Sequence, residues 1–381
     1  MKIGILTQPL HNNYGGILQN YALQKTLKDM GHEVWTIDRR YKDIPLYIKY
    51  GSIAKRIAKN ILGHKVPIRM WATKKEEEKI ATHTHRFVNE NIRQTKNIYS
   101  TKGIIQTQRQ HNFDAFIIGS DQVWRPQYSP CLTNYFLDFV ENDRNVKKIA
   151  YGASFGVDCW EYSKKDTNKC ARLAKKFDAI SVRENSAIDL CKRYLGVKAV
   201  QVLDPTLLLD KTKYIHLVEK DHIPKSRGKL FVYILDRSKE KDEIVKEISN
   251  YKKIEPFEVM PTENFSDVGK KKLEQCIFPP VTEWLRAFID AEYIITDSFH
   301  GTVFSIIFEK PFIAIGNEDR GLTRFSSLLN LFQLEKRLIN YKGKNMDYSI
   351  IDEEIDYSLV NSLLQKEKDK SINFLSSSLK Y

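Results

Sequence analysis

Short apolar runs, each closing on a small or polar residue, alternate along this chain with stretches patterned as helices. The opening shows the unit. "KIGILTQ" reads as a strand and "HNNYGG" as a loop. "ILQNYALQKTLKDM" reads as a helix with Leu18, Tyr21, Ala22 and Leu27 near one face. Gly31 suits the position after the helix, and "EVWTID" is the next strand. Further strands are "FDAFIIGSD", "KKIAYGASFG", "FDAISVRE" and "AVQVLDPT", separated by helical stretches such as "DTNKCARLAKKF" and "NSAIDLCKRYLG". Parallel neighbours need a crossover, and a helix is the usual one. This alternation therefore predicts an α/β fold with a parallel, doubly wound sheet.

The pattern pauses near Asp204-Pro205. "DKTKYIHLVEKDHIPKSRGK" is charged and reads as a linker. A second α/β run follows: "LFVYILD", "KDEIVKEISNY", "EPFEVMP", "VTEWLRAFIDA", "EYIITDS", "TVFSIIFE" and "PFIAIGN". A chain of 381 residues is long for one core. The expectation is two α/β domains facing across a cleft, 1–210 and 211–345. A helical tail, 346–381, packs back on the first.

Five cysteines, Cys131, Cys159, Cys170, Cys191 and Cys276, form no CxxC, which argues against a disulfide framework or a zinc site. The start reads as a strand rather than a signal peptide, and no apolar run approaches the roughly 20 residues that span a bilayer. A cytoplasmic location is expected. The formal charge of +13 favours an acidic partner. From Ile44 to Lys75 there are eight basic residues and no acid, interleaved with aliphatic and aromatic side chains. Such a stretch either packs as an ordinary helix with a basic face or lies on an anionic membrane surface, which would make the protein peripheral at the inner membrane face. Charge alone would also suit nucleic acid, but no binding motif supports that partner.

Ligands of such sheets bind beyond the carboxyl ends of the strands. In "ITDSFHG", His300 stands where a strand meets a helix. A helix start attracts anions, and an imidazole there could bind one or donate a proton. The other reading is that Asp297 or Ser298 caps the helix and His300 lies at the surface. In "AISVRE", Arg183 would grip phosphate or carboxylate, or merely pair with Glu184 at the surface. In "IIGSDQVWRP", Ser120, Asp121 and Gln122 follow a strand. Asp121 is a candidate base or sugar contact. Trp124 is a candidate stacking face or a core residue. In "NNYGGILQ", Asn13, Tyr14, Gly15 and Gly16 allow close approach of a ligand. "NEDRGLTR" adds Arg320 and Arg324. No HExxH, Walker loop or GxSxG is present, so no metal or cofactor is expected.

"GSDQVW", "ASFG", "SVRE", "LDPTLLL" and "ITDSFHGTVFSIIFEKPFIAI" occur in the order found in the polysaccharide pyruvyl transferase family, which this chain resembles from "KIGILTQPLHNNYGGILQNYALQ" to about "TRFSSLL". The resemblance implies a GT-B-like pair of Rossmann-like domains, acceptor side first and donor side second. It implies transfer of pyruvate from phosphoenolpyruvate onto two hydroxyls of a sugar as a cyclic ketal. The setting would be bacterial capsule, exopolysaccharide or cell-wall polymer synthesis, with an acceptor that is in some pathways linked to polyprenyl diphosphate. Arg183 matches the arginine of the family's S-x-R-[DE] motif, and His300 its H-G histidine. Arg320 matches a basic donor contact of some members. Ser298 departs from the pattern, since many members have arginine there, and Arg324 is the candidate substitute. With Ser298 and Gly301 these residues make the expected phosphoenolpyruvate site. His300 is the expected acid, toward the methylene carbon or the leaving phosphate. Asn13, Tyr14, Gly15, Gly16, Ser120, Asp121, Gln122 and Trp124 make the expected acceptor side. The alternative is a GT-B glycosyltransferase using a nucleotide sugar.

Overall fold

The alternation is realised as two parallel sheets in the computed structural model, which describes residues 1–381 apart from 44, 63–66, 68, 317–321, 340–348 and 381. The first sheet holds β1 (Lys2–Leu6), β2 (Glu33–Thr36), β3 (Ala115–Ile118), β4 (Lys147–Ala153), β5 (Ala179–Val182) and β6 (Val200–Gln201) in the order β2-β1-β3-β4-β5-β6. The second holds β7 (Leu230–Tyr233), β8 (Pro256–Phe257), β9 (Tyr293–Thr296), β10 (Phe312–Ile315) and β11 (Leu338–Ile339) in the order β11-β10-β9-β7-β8. Strand order reverses between β1 and β3 in one sheet and between β7 and β9 in the other. Loops diverge at such points and leave a crevice beyond the strand ends. The loops after β1, β3 and β9 carry "NNYGG", "GSDQVW" and "DSFHG".

Strand side chains alternate between faces, and this alternation builds the core. Ile3 and Ile5 of β1, Phe231 and Tyr233 of β7 and Ile294 of β9 all join one apolar cluster. Phe116 and Ile118 of β3 face a second cluster on the far side of the first sheet. Leu230, Val232 and Ile295 face a third beyond the second sheet. The first cluster runs through both domains, so they share one core rather than touching at a polar seam.

The helices that shape the site and its surroundings are α1 (Tyr14–Asp29), α2 (Leu46–Ile61), α3 (Lys211–Lys220), α4 (Val281–Asp290), α5 (Phe299–Ile307), α6 (Leu322–Leu331) and α7 (Tyr357–Leu379). Tyr14 of α1 stacks on Trp284 of α4 at 5.6 Å, and its hydroxyl donates to the Pro279 carbonyl at 2.9 Å. Each large side chain buried this way contributes roughly 1.5–3 kcal/mol. Half of the expected linker is α3. Tyr214, Leu217 and Val218 are buried along one stripe of it, a pattern the surrounding lysines had hidden. Helix α7 crosses back onto the first domain. There Ser371 Oγ accepts from the Leu203 amide at 3.0 Å, and Leu375 is buried.

Candidate functional site

Helix α5 begins where β9 ends, and the local chemistry fixes that start. Ser298 is the cap, and its Oγ accepts from the Gly301 amide at 3.3 Å. Asp297 does not cap. It accepts from the Leu235 amide at 2.6 Å, the Asp236 amide at 3.1 Å and Lys241 Nζ at 2.6 Å, so it holds the loop after β7. Gly301 is required by packing, because a Cβ there would lie 2.1 Å from Thr296 Oγ1. The second residue of the helix is His300. Its side chain is buried, so it is not the surface residue of the alternative reading.

Helix α1 of the other domain starts in the same way. Asn13 is the cap, and its Oδ1 accepts from the Gly16 amide at 3.1 Å. The two first turns meet. A Cβ on Gly15 would stand 2.2 Å from the His300 ring, so only glycine lets the imidazole occupy this place.

Facing His300 is Asp204 of "LDPT", three residues past the end of β6. His300 Nε2 lies 3.5 Å from Asp204 Oδ2. That is ion-pair range but long for a hydrogen bond, and Nε2 has no hydrogen-bond partner among the described residues. Asp204 is itself held in place. Its Oδ1 accepts from the Thr206 amide at 3.0 Å and the Thr206 hydroxyl at 2.7 Å. Its Oδ2 accepts from Arg183 Nη1 at 2.9 Å. Arg183 Nη2 reaches Asp121 Oδ1 at 3.4 Å. The Arg183 guanidinium also sits over the Phe299 ring at 4.4 Å, and Arg324 of α6 lies over the same ring at 5.6 Å.

The electrostatics follow from this packing. Burial would raise the Asp204 carboxyl, but pairing with His300 and the charge of Arg183 hold it well below the usual carboxylate range. Asp121 behaves alike. Burial opposes its charge, and Arg183, His300 and Arg324 outweigh it. Burial pushes Arg324 down to about 10, with neighbouring Arg183 adding to the effect. Arg183 moves up, because Asp121 and Asp204 outweigh its burial. Glu184 is no surface partner. It is buried, and its Oε1 accepts from Ser154 Oγ and the Phe155 amide, both at 2.9 Å. Arg183, Asp204, Phe299, Arg324, Leu328 and Leu331 line a crevice with room for one water molecule at most.

The structure thus brings His300, Arg183, Asp121, Arg324, Ser298, Gly15 and Gly301 together and adds Asp204. Arg320 lies outside the described residues. Other expected acceptor contacts serve packing here. Trp124 is fully buried, stacked on Phe136 at 5.0 Å, and its Nε1 donates to the Tyr135 carbonyl at 2.9 Å. It offers no face to a sugar. Tyr14 is the interdomain core residue described above. Ser120 Oγ donates to the Gly152 carbonyl at 3.1 Å, and the Gln122 side chain fills the space beside Gly156.

Sequence reasoning missed a larger cavity of about 510 Å³ beyond the ends of β1 and β2. His11, Arg40, Tyr41, Lys49, Trp71 and His85 line it, with Asp43, Glu77 and Asn97 among them. Burial and the Arg40 charge lower His11. His11 lies in the loop that leads into α1 and Gly15 in the first turn of that helix, so one segment borders both the cavity and His300. Only "LDPT" gave a signal for Asp204, and the cavity residues gave none.

No curated protein matches the chain in sequence. Among solved structures it is similar to UDP-GlcNAc 2-epimerase from Neisseria meningitidis bound to UDP-GlcNAc, at 8% identity and TM-score 0.53, covering 100% of this chain and 99% of that one. It is also similar to Arabidopsis thaliana UGT89C1 complexed with UDP, at 9% identity and TM-score 0.52, covering 99% of each. These likenesses show the fold, which is GT-B. The model of one family, Polysaccharide pyruvyl transferase, matches residues 13–319. The chain belongs to the polysaccharide pyruvyl transferase family.

Proposed function

We propose that this protein moves the pyruvyl group of phosphoenolpyruvate onto a sugar, as a cyclic ketal, in bacterial capsular, exopolysaccharide or cell-wall polymer synthesis. The observation that carries the reading is the buried His300 imidazole, its Nε2 free of a hydrogen bond among the described residues and set 3.5 Å from Asp204 Oδ2 at the junction of the two domains. An imidazole placed at such a junction can hand a proton to a substrate bound there.

In the reaction, His300 passes its proton to the methylene carbon of phosphoenolpyruvate. A sugar hydroxyl adds to the central carbon, and the bond to the phosphate oxygen breaks. A second hydroxyl closes the ketal. Of the two hydroxyl protons, one replaces that given by His300 and the other leaves on phosphate. Asp121 is held ionised, so it suits accepting a hydrogen bond from a sugar hydroxyl and stabilising positive charge at the central carbon. Arg183 already meets two carboxylates, so it orients Asp204 and Asp121 and meets a donor anion only together with Arg324. Arg320 is assigned to the same anion. The crevice beside Arg183 and Arg324 is too small for phosphoenolpyruvate, so a donor placed there requires its walls to part. The acceptor is assigned to the cavity lined by His11, Tyr41 and Trp71, whose aromatic faces and carboxylates suit a sugar. A polyprenyl-diphosphate carrier fits an acceptor made at a membrane.

A thermal-shift panel tests the donor. Phosphoenolpyruvate should raise the melting temperature of wild type and not of Arg324→Ala. Stabilisation by UDP-sugars and not by phosphoenolpyruvate would favour the nucleotide-sugar reading.

A further inference from the structure

Helix α2 is laid on the protein with its apolar face outward. Tyr47, Tyr50, Ala54, Ile57 and Ile61 recur at helical spacing and share one face. All are exposed: Tyr47 is 76%, Tyr50 66%, Ile57 43% and Ile61 81% accessible. The half-buried residues are Lys49, Ser52, Ile53 and Arg56, at the same spacing on another face. Arg56 Nη1 donates to the Pro67 carbonyl at 2.6 Å, and Lys49 lines the cavity of about 510 Å³. A helix of a water-facing protein normally turns its apolar stripe inward. This one presents an uncovered apolar face, which marks an interaction surface.

We propose that α2 docks the protein on an anionic bilayer, lying in the plane of the headgroups with Tyr50 and Ile57 inserted. Charge selects this occupant. No acid falls between Ile44 and Lys75, and Lys55 and Lys59 are exposed beside the apolar face. A second copy of the chain would bring like charges together, whereas phosphates of anionic lipid would meet them. Tyrosine side chains suit the boundary between headgroup and acyl chain. Among the described residues no helix is long and apolar enough to cross a membrane, so the attachment is to one surface. Lys49 ties the docked helix to the wall of the cavity, which sets the cavity beside the lipid surface. The docking stands whether or not pyruvyl transfer is the reaction.

Vesicle flotation at physiological salt tests this. The wild-type chain should rise with vesicles of equal parts phosphatidylcholine and phosphatidylglycerol, and far less with phosphatidylcholine alone. Lys55→Gln with Lys59→Gln should weaken partition on the order of 25-fold. Tyr50→Glu with Ile57→Glu should abolish it while leaving the melting temperature within about a degree of wild type, since both side chains already face solvent. Wild type left at the bottom of the gradient with the mixed vesicles would overturn the proposal. So would binding unchanged in the Tyr50→Glu, Ile57→Glu variant. A dimer in light scattering that Ile57→Glu dissolves, without flotation, would assign the face to a second copy instead.

Discussion

Two helix starts meet at the centre of this molecule, and they are written almost alike. "NYGG" opens α1 and "SFHG" opens α5. Each has a polar cap, an aromatic first residue and a glycine third, and each cap accepts from the amide of that glycine. They differ at the second residue, where one has Gly15 and the other His300. The first domain contributes space and the second contributes the imidazole that fills it. The imidazole proposed as the acid is thus seated by a hollow in the opposite domain. Its position depends on how the domains dock as well as on its own helix.

Substitutions at the two helix starts and at the groups they touch separate these contributions. His300→Ala should slow turnover by roughly 10²–10⁴-fold, the usual worth of acid–base help, while the chain still folds and unfolds cooperatively. Steady-state kinetics and calorimetry on one preparation check both halves. Asp204→Asn should be the most destabilising of these changes, at roughly 3–5 kcal/mol, because it strips a buried partner from Arg183. Denaturant unfolding measures it.

The same pairs give a pH dependence. Asp204 and Asp121 are held below the unfolded carboxylate value of about 3.9. Their contribution is full above that pH. It is lost as pH falls through their native values, because the unfolded chain takes up protons first. Stability followed from pH 6 to 3 should drop less steeply in Asp204→Asn than in wild type, as roughly one such carboxyl is gone.

Gly15→Ala should cost about 1–3 kcal/mol through overpacking and displace His300, so turnover should fall as well. Gly16→Ala is its control. A Cβ there meets Asn13 at 3.3 Å, and the helical preference of alanine offsets that crowding. Equal loss in both variants would show that the hollow at Gly15 has no special role. The smallest effects are expected of the caps, with Asn13→Ala and Ser298→Ala each losing about 1 kcal/mol.

Much of this was legible in the sequence. The strands announced themselves by apolar runs ending in polar residues, because both faces of each sheet are covered and the code is simple. Strand β11 escaped because its two residues, Leu338 and Ile339, follow the charged Glu335-Lys336-Arg337 and belong to no longer apolar run. Helix α3 escaped because its three lysines and Glu219 outnumber the buried Tyr214, Leu217 and Val218. His300 and Arg183 were legible from their place at strand ends. The direction of Trp124 was not, since an aromatic after a strand can turn to the core or the cleft with equal ease. Nor was the contact between Gly15 and His300, which joins residues from opposite domains and leaves no local pattern.

The most direct measurement is phosphate release from phosphoenolpyruvate with galactosyl, glucosyl and mannosyl acceptors, free and lipid-linked, with mass spectrometry of the product. Phosphate release should depend on the acceptor, and the product should be heavier by about 70 Da, as expected for ketal formation with loss of water. Both signals should be almost completely lost in His300→Ala. Ketal formation at an undiminished rate in that variant would contradict the role given to His300.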